Sequence, residues 1–231
     1  MKIKGFQGTS LLDFPGRIAS LVFFGGCNLS CSFCHNPTLV LDPDQYPDYP
    51  LAALLDELQE RRSFIDGVVV SGGEPTIDKG LLPFLREVKG LALEVKLDTN
   101  GLAPAVLEQA LGEGLVDYVA LDFKTAVERY SELHHGPVDT AALRQSIRLL
   151  LDGCVDYEIR TTCVPGLVDA ADLPVMGEAI AGACSWVLQQ FVARHAMDES
   201  LQTLAPHLPE QIRTFAQIAG AYVERVSIRG L

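Results

Sequence analysis

Three cysteines stand close together in the run Gly25-Gly26-Cys27-Asn28-Leu29-Ser30-Cys31-Ser32-Phe33-Cys34-His35-Asn36-Pro37. Thiolates are soft ligands that select zinc, copper(I) or iron–sulfur clusters over magnesium or calcium. Their number decides further. A structural zinc site closes on four protein ligands, and His35 follows Cys34 too directly to reach the same tetrahedron. Three cysteines around a four-iron cluster leave one iron without a protein ligand, open to a substrate or cofactor. Cys27, Cys31 and Cys34 are therefore the expected metal ligands. The chain opens without an apolar leader and cleavage site, so the expected compartment is the cytoplasm, where disulfides are rare. Cys154, Cys163 and Cys184 lie singly among apolar residues and read as small core hydrophobes.

A second set of polar residues recurs at the ends of apolar runs. These are Gly72-Gly73-Glu74, Asp98-Thr99-Asn100, Asp122 with Lys124, Arg160 with Thr162, and Gln189-Gln190. Glycines at 72 and 73 permit positive φ and a close backbone approach to a ligand, with their amides exposed to it. Asp98, Thr99 and Asn100 suit either a ligand or a turn ahead of Gly101. Asp122 and Lys124 share one face of a strand, because side chains repeat every second residue. Arg160 falls late in an apolar run and needs an anionic partner there, either a ligand carboxylate or Asp122. Phe33 sits beside the last cluster cysteine and is assigned to the cofactor or to the core.

The elements that carry these residues alternate. Strands are predicted over 19–24, 67–71, 93–98, 118–123, 158–164 and 186–191. Each is short and apolar on successive residues, as strands covered on both faces are. Amphipathic helices are predicted over 51–62, 79–88, 103–112, 140–151 and 170–181; Leu51, Leu54, Leu55 and Leu58 form one apolar stripe. A last helix over 210–221 precedes a possible strand over 225–229. Strands alternating with helices imply a parallel sheet with right-handed crossovers. In a barrel the C-terminal strand ends build the active site, which is where the polar residues fall. A doubly wound sheet would lead from its first strand into a Gly-x-Gly-x-x-Gly turn, whereas this one leads into cysteines. The expected fold is α/β, an open partial (β/α)6 TIM-like barrel in one domain over 1–231. Residues 1–18 form an extension, 19–191 the barrel and 192–231 a C-terminal segment.

The 231 residues are 48% apolar and carry a formal charge of −12. That balance supports a sizeable core and argues against a nucleic-acid partner, which needs basic patches. No apolar run approaches the length of a membrane helix.

The cysteine loop after the first strand, the aromatic before its last cysteine, and Gly72-Gly73-Glu74-Pro75 after the second strand together resemble the radical S-adenosylmethionine superfamily. The resemblance implies a [4Fe-4S] cluster on Cys27, Cys31 and Cys34, with S-adenosylmethionine bound at the fourth iron. It further implies cofactor contacts by Phe33, Gly72, Gly73, Glu74, Asp98, Thr99, Asn100, Asp122, Lys124 and Arg160. Leu12-Asp13-Phe14-Pro15-Gly16-Arg17 and Cys34-His35-Asn36-Pro37 narrow the likeness to the glycyl radical enzyme activases, most of all those serving the anaerobic ribonucleoside-triphosphate reductase. Asp122-Phe123-Lys124 and Arg160 leading to Val164-Pro165-Gly166 extend it. The implied partners are the large subunit of that reductase and an electron donor of the flavodoxin or ferredoxin type; Arg61 and Arg62 read either as a landing point for that donor or as a solvated helix end. Two other functions compete: a radical enzyme acting on a small molecule, as 7-carboxy-7-deazaguanine synthase does, and a cluster-bearing electron carrier or zinc scaffold. The scaffold leaves the polar strand ends unexplained. Of the remaining polar residues, His134 and His135 read as a solvated loop pair, His195 as a residue near the cofactor or in solvent, and Trp186 as core.

Overall fold

The computed structural model describes every residue except His135 and Cys154. Among the described residues, eight strands form one sheet in the sequential order β1 to β8: β1 Ile3–Ser10, β2 Ala19–Phe24, β3 Gly67–Gly72, β4 Glu94–Thr99, β5 Tyr118–Asp122, β6 Asp156–Cys163, β7 Trp186–Gln190 and β8 Val226–Arg229. The six predicted strands are β2 to β7. β1 lies in the segment expected to be an extension and pairs antiparallel with β2, whereas β2–β3, β3–β4, β6–β7 and β7–β8 are parallel. The order never reverses, so the sheet lacks the switch point of a doubly wound fold. β1 and β8 are its two edges, and the fold is the open (β/α) barrel type expected from the sequence.

The helices are α1 Pro37–Leu41, α2 Leu51–Arg61, α3 Leu81–Gly90, α4 Pro104–Gly112, α5 Thr140–Leu151, α6 Asp172–Ala179 and α7 Pro209–Ala219. α3 starts two residues later than predicted, because Asp78 turns its carboxylate back onto the amide of Gly80 (2.7 Å) and holds the preceding residues in a turn. α4 starts at a proline, whose fixed φ suits a first helical position. α5 is capped by Asp139, which accepts from Ala141 and Ala142. Among the described residues, no helix is long and apolar enough to cross a membrane.

The chain packs as two compact bodies. The first holds residues 1–28, 38–99 and 103–120. Its core includes Phe14, Ala19, Leu21 and Val69, with Phe23 and Tyr118 against them. Phe14 is thus a core plug, its ring 5.9 Å from that of Tyr118, and Arg17 pins the same loop by a two-pronged ion pair with Glu94 (2.8 and 3.2 Å). The second body holds residues 29–37, 100–102 and 121–231. Trp186 is fully buried there, as expected, and donates its indole N–H to Thr161 (2.9 Å). Cys163 is buried as the sequence implied. Cys184 departs from that reading and is exposed, because it lies in the turn ahead of β7, outside the strand's apolar run. Cys154 and His135 lie outside the described residues.

Candidate active site

In the first body the exits of β2 and β3 are welded through backbone. The amide of Gly73 donates to the carbonyl of Phe24 and the amide of Glu74 to that of Gly26, each at 2.8 Å. A side chain at Gly73 would place its Cβ 1.9 Å from the Gly26 oxygen, and one at Gly72, where φ is +119°, 2.3 Å from the Phe24 oxygen. The two glycines therefore exist for a backbone-to-backbone approach that brings the β3 exit against the residues leading into Cys27. This corrects one detail of the sequence reading. The Gly73 amide is spent on the Phe24 carbonyl of β2.

Glu74 is 1% exposed. Its Oε1 accepts from the Thr76 amide (3.1 Å), the Thr76 hydroxyl (2.6 Å) and the Thr99 hydroxyl (2.8 Å). The carboxylate thereby ties the ends of β3 and β4 together, and Thr99 is buried by the same contact. Asp98 is held at both oxygens: the Ser71 hydroxyl donates to Oδ2 at 3.1 Å, and the Lys96 ammonium contacts Oδ1. Lys96 is a residue the sequence reading missed. The signal was present, since a lysine two places before an aspartate in an apolar strand must share its face.

In the second body Cys31 is buried, and Cys34 is half-buried with its amide closing a turn on the Cys31 carbonyl (2.9 Å). The Asn36 amide approaches the Cys34 sulfur at 3.4 Å, the kind of N–H···S contact that tunes cluster thiolates. Burial pushes the Cys31 thiol up, and the Lys124 ammonium opposes the shift. Phe33 is buried, with the Lys124 ammonium 5.8 Å from its ring centroid. Asp122 receives the Arg160 guanidinium at 2.7 Å and the Lys124 ammonium at 3.4 Å. Of the two partners the sequence allowed for Arg160, the structure supplies Asp122. Burial alone would raise the Asp122 carboxyl, but the two cations outweigh it and hold the group well below the usual carboxylate range. Asp122 thus brings the Lys124 ammonium and the Arg160 guanidinium together. Tyr130 was also missed in the sequence; its buried hydroxyl accepts the Lys124 amide (2.9 Å) and fixes the tip's backbone.

The Asn100 Oδ1 accepts from the Leu102 amide (3.0 Å) ahead of Gly101, which adopts φ +76°. His35 packs edge-on to His195 with ring centroids 6.2 Å apart. His134, expected in solvent, makes a 3.1 Å hydrogen bond with Ser30. Arg61 bonds Glu57 (3.2 Å) and covers the ring of Phe6.

Among the described residues, no three His, Cys, Asp or Glu side chains gather tightly enough for a single metal ion. An iron–sulfur cube asks for something looser, because each thiolate binds its own iron. Cys27, Cys31 and Cys34 are all free of disulfides. The soft donor set fits an iron–sulfur cluster.

Comparison with known proteins gives the family. Residues 21–172 match the Radical SAM superfamily, a stretch that runs through both bodies, and the chain belongs to that superfamily. It is 30% identical over 234 aligned positions to a Methanocaldococcus jannaschii protein with the provisional name glycyl-radical enzyme activating enzyme MJ1227, covering 98% of this chain and 95% of that one. It is 29% identical to the pyruvate formate-lyase 1-activating enzyme of Escherichia coli K12, over 74% of this chain and 71% of that one. Among solved structures, Streptococcus suis SuiB bound to S-adenosylmethionine superposes with a TM-score of 0.65 at 14% identity, covering 91% of this chain and 52% of that longer chain. That last likeness shows the fold.

Proposed function

We propose that this protein is a glycyl radical enzyme activase that uses a [4Fe-4S] cluster and S-adenosylmethionine. The observation that carries the reading is the match to the M. jannaschii relative, which spans nearly the whole of both chains rather than the cysteine loop alone. When bound, the cluster supplies the electron that cleaves S-adenosylmethionine, and the cleaved cofactor supplies the radical that takes a Cα hydrogen from a glycine of the partner.

The chain's own residues bind and orient. Cys27, Cys31 and Cys34 would hold three irons. Gly72 and Gly73 are proposed cofactor contacts, and the Lys124 and Arg160 cations held by Asp122 suit the cofactor's carboxylate. Asp98 is fixed as an acceptor for hydroxyl or ammonium groups. Glu74 and Thr99 act one step back by locking two strand ends.

The partner is inferred to be the anaerobic ribonucleoside-triphosphate reductase, on the strength of Leu12-Asp13-Phe14-Pro15-Gly16-Arg17 and Cys34-His35-Asn36-Pro37. The observation favouring a second reading is the name of the E. coli relative, which points to pyruvate formate-lyase. Reconstituted, reduced protein mixed with S-adenosylmethionine and each partner in turn tests both by electron paramagnetic resonance. A glycyl signal on the reductase alone supports the first reading, and one on the lyase alone replaces it with the second. An intact cluster with no glycyl signal on either, and steady release of 5′-deoxyadenosine with a small-molecule substrate, overturns the activase reading.

A further inference from the structure

Side chains 21, 69 and 96 form one row across β2, β3 and β4, because Leu21 pairs with Val69 and Val69 with Lys96. Leu21 and Val69 are core. The third place in this aliphatic row holds a lysine, only 1% exposed, between Val95 and Leu97, which are both fully buried. Taking an ammonium out of water is costly, and a buried ion pair is on average no more stabilising than apolar residues of the same size. Leucine or methionine would serve packing better in this row. The lysine's value must therefore lie in what its charge touches.

It touches Asp98, the next residue on the same face and the last but one of β4. Ser71, at the matching place near the end of β3, takes the other carboxylate oxygen. The carboxylate is thus gripped at both oxygens by groups anchored in two rigid strands. Asp98 is 13% exposed at its side chain, whereas Lys96 is 1% exposed. Only Asp98 of the pair can reach a ligand.

We propose that Lys96 is a positioning residue for S-adenosylmethionine: its buried ammonium, with the Ser71 hydroxyl, fixes the Asp98 carboxylate in the orientation that receives the cofactor. The inference rests on the reading of Asp98 as a cofactor contact under the proposed function. Without the ammonium, Asp98 can rotate, and water must be recruited to solvate it before the cofactor binds.

A double-mutant cycle on reconstituted full-length protein tests this, with the S-adenosylmethionine dissociation constant measured by equilibrium dialysis. Iron and sulfide content and the melting temperature serve as controls. Lys96→Met is expected to weaken cofactor binding about tenfold to a hundredfold, the range for losing a charge-assisted hydrogen bond, with iron content unchanged. Ser71→Ala, a smaller change that keeps the ion pair, is expected to weaken it about threefold to tenfold and covers the case in which Lys96→Met does not fold. Asp98→Asn combined with Lys96→Met is expected to bind no worse than Asp98→Asn alone, since Lys96 acts through Asp98. A merely structural lysine would lower the melting temperature and give effects that add. Wild-type affinity in both Lys96→Met and Ser71→Ala, with Asp98→Asn weakened, overturns the positioning role while leaving the cofactor assignment intact. Wild-type affinity in Asp98→Asn removes Asp98 as a ligand and the inference with it. Failure of the wild-type protein to bind S-adenosylmethionine at all overturns both readings.

Discussion

Asp122 concentrates the electrostatics of the second body in one residue. Its carboxyl sits well below the ordinary range because the pull of Arg160 and Lys124 exceeds the opposing effect of burial. A depressed carboxyl stabilises the fold wherever the unfolded chain would also be ionised, above about pH 4, and the contribution fades as pH falls toward the folded value. Asp122→Asn should therefore lower the melting temperature at pH 7, with the gap to wild type closing as the buffer is taken from about pH 5 to pH 3. Calorimetry of the two proteins across that range checks it; a gap that stays constant would show that the carboxylate's charge is not what matters. Gly73 makes a steric prediction of a different kind. The 1.9 Å approach of an added Cβ to the Gly26 oxygen meets backbone rather than a flexible side chain, so Gly73→Ala must break the hydrogen bond from Glu74 to Gly26. Overpacking of this sort costs about 1–3 kcal/mol, and the strain falls next to Cys27. Melting temperature and iron loading should drop together, and a variant that melts earlier yet loads iron normally would separate the glycine from the cluster loop.

At the scale of elements, strands were easier to read than the contacts that hold their ends. Residues 67–71 and 186–191 declared themselves by the apolar triplets Val68-Val69-Val70 and Trp186-Val187-Leu188, and β3 and β7 follow them closely. Helix starts were displaced where a side chain captured a nearby amide, as Asp78 does before α3. Such captures depend on one rotamer and leave no periodic trace. The candidate site shows the same division. Cys27, Asp98 and Asp122 were legible because their chemistry is rare at the end of an apolar strand. The grip of Lys96 on Asp98 and of Tyr130 on the Lys124 amide was not, because each needs the fold to say which neighbour lies in reach. Edge strand β8 illustrates how much rests on such pairings. It is short and half-buried throughout, and Arg229 reaches Glu158 of β6 in a two-pronged ion pair of 2.9 and 2.6 Å. Glu158 is 2% exposed and Arg229 40% at the side chain. Arg229→Met strips the guanidinium from a buried carboxylate and should destabilise by about 2–3 kcal/mol, under the range for a fully buried pair because the arginine is partly solvated. Adding Glu158→Gln should recover part of that loss in urea unfolding. A double variant as unstable as the sum of the two single ones would mean that they do not act as a pair.

Over the whole molecule the cluster ligands bear on stability as well as on chemistry. Cys27, Cys31 and Cys34 are the proposed ligands, and a group held by all three would be bound by the folded chain and not by the unfolded one. A ligand bound only by the native state stabilises it by mass action, and a structural metal centre can supply a large share of folding free energy. Burial holds the Cys31 thiol against deprotonation, so the metal-free chain carries an apolar thiol where the loaded one carries a thiolate bound to iron. Anaerobic reconstitution should accordingly raise the melting temperature, and a chelator or air should return it to the metal-free value. Cys31→Ser removes the soft ligand at nearly constant volume. Its metal-free form should melt close to the metal-free wild type, because a hydroxyl replaces the thiol in the same space, yet it should gain little or nothing on reconstitution. Scanning fluorimetry under nitrogen, read beside iron content and visible absorbance, distinguishes the outcomes. Equal stabilisation of wild type and Cys31→Ser would mean that iron binds elsewhere on the chain, and the assignment of the three cysteines as cluster ligands would have to be withdrawn.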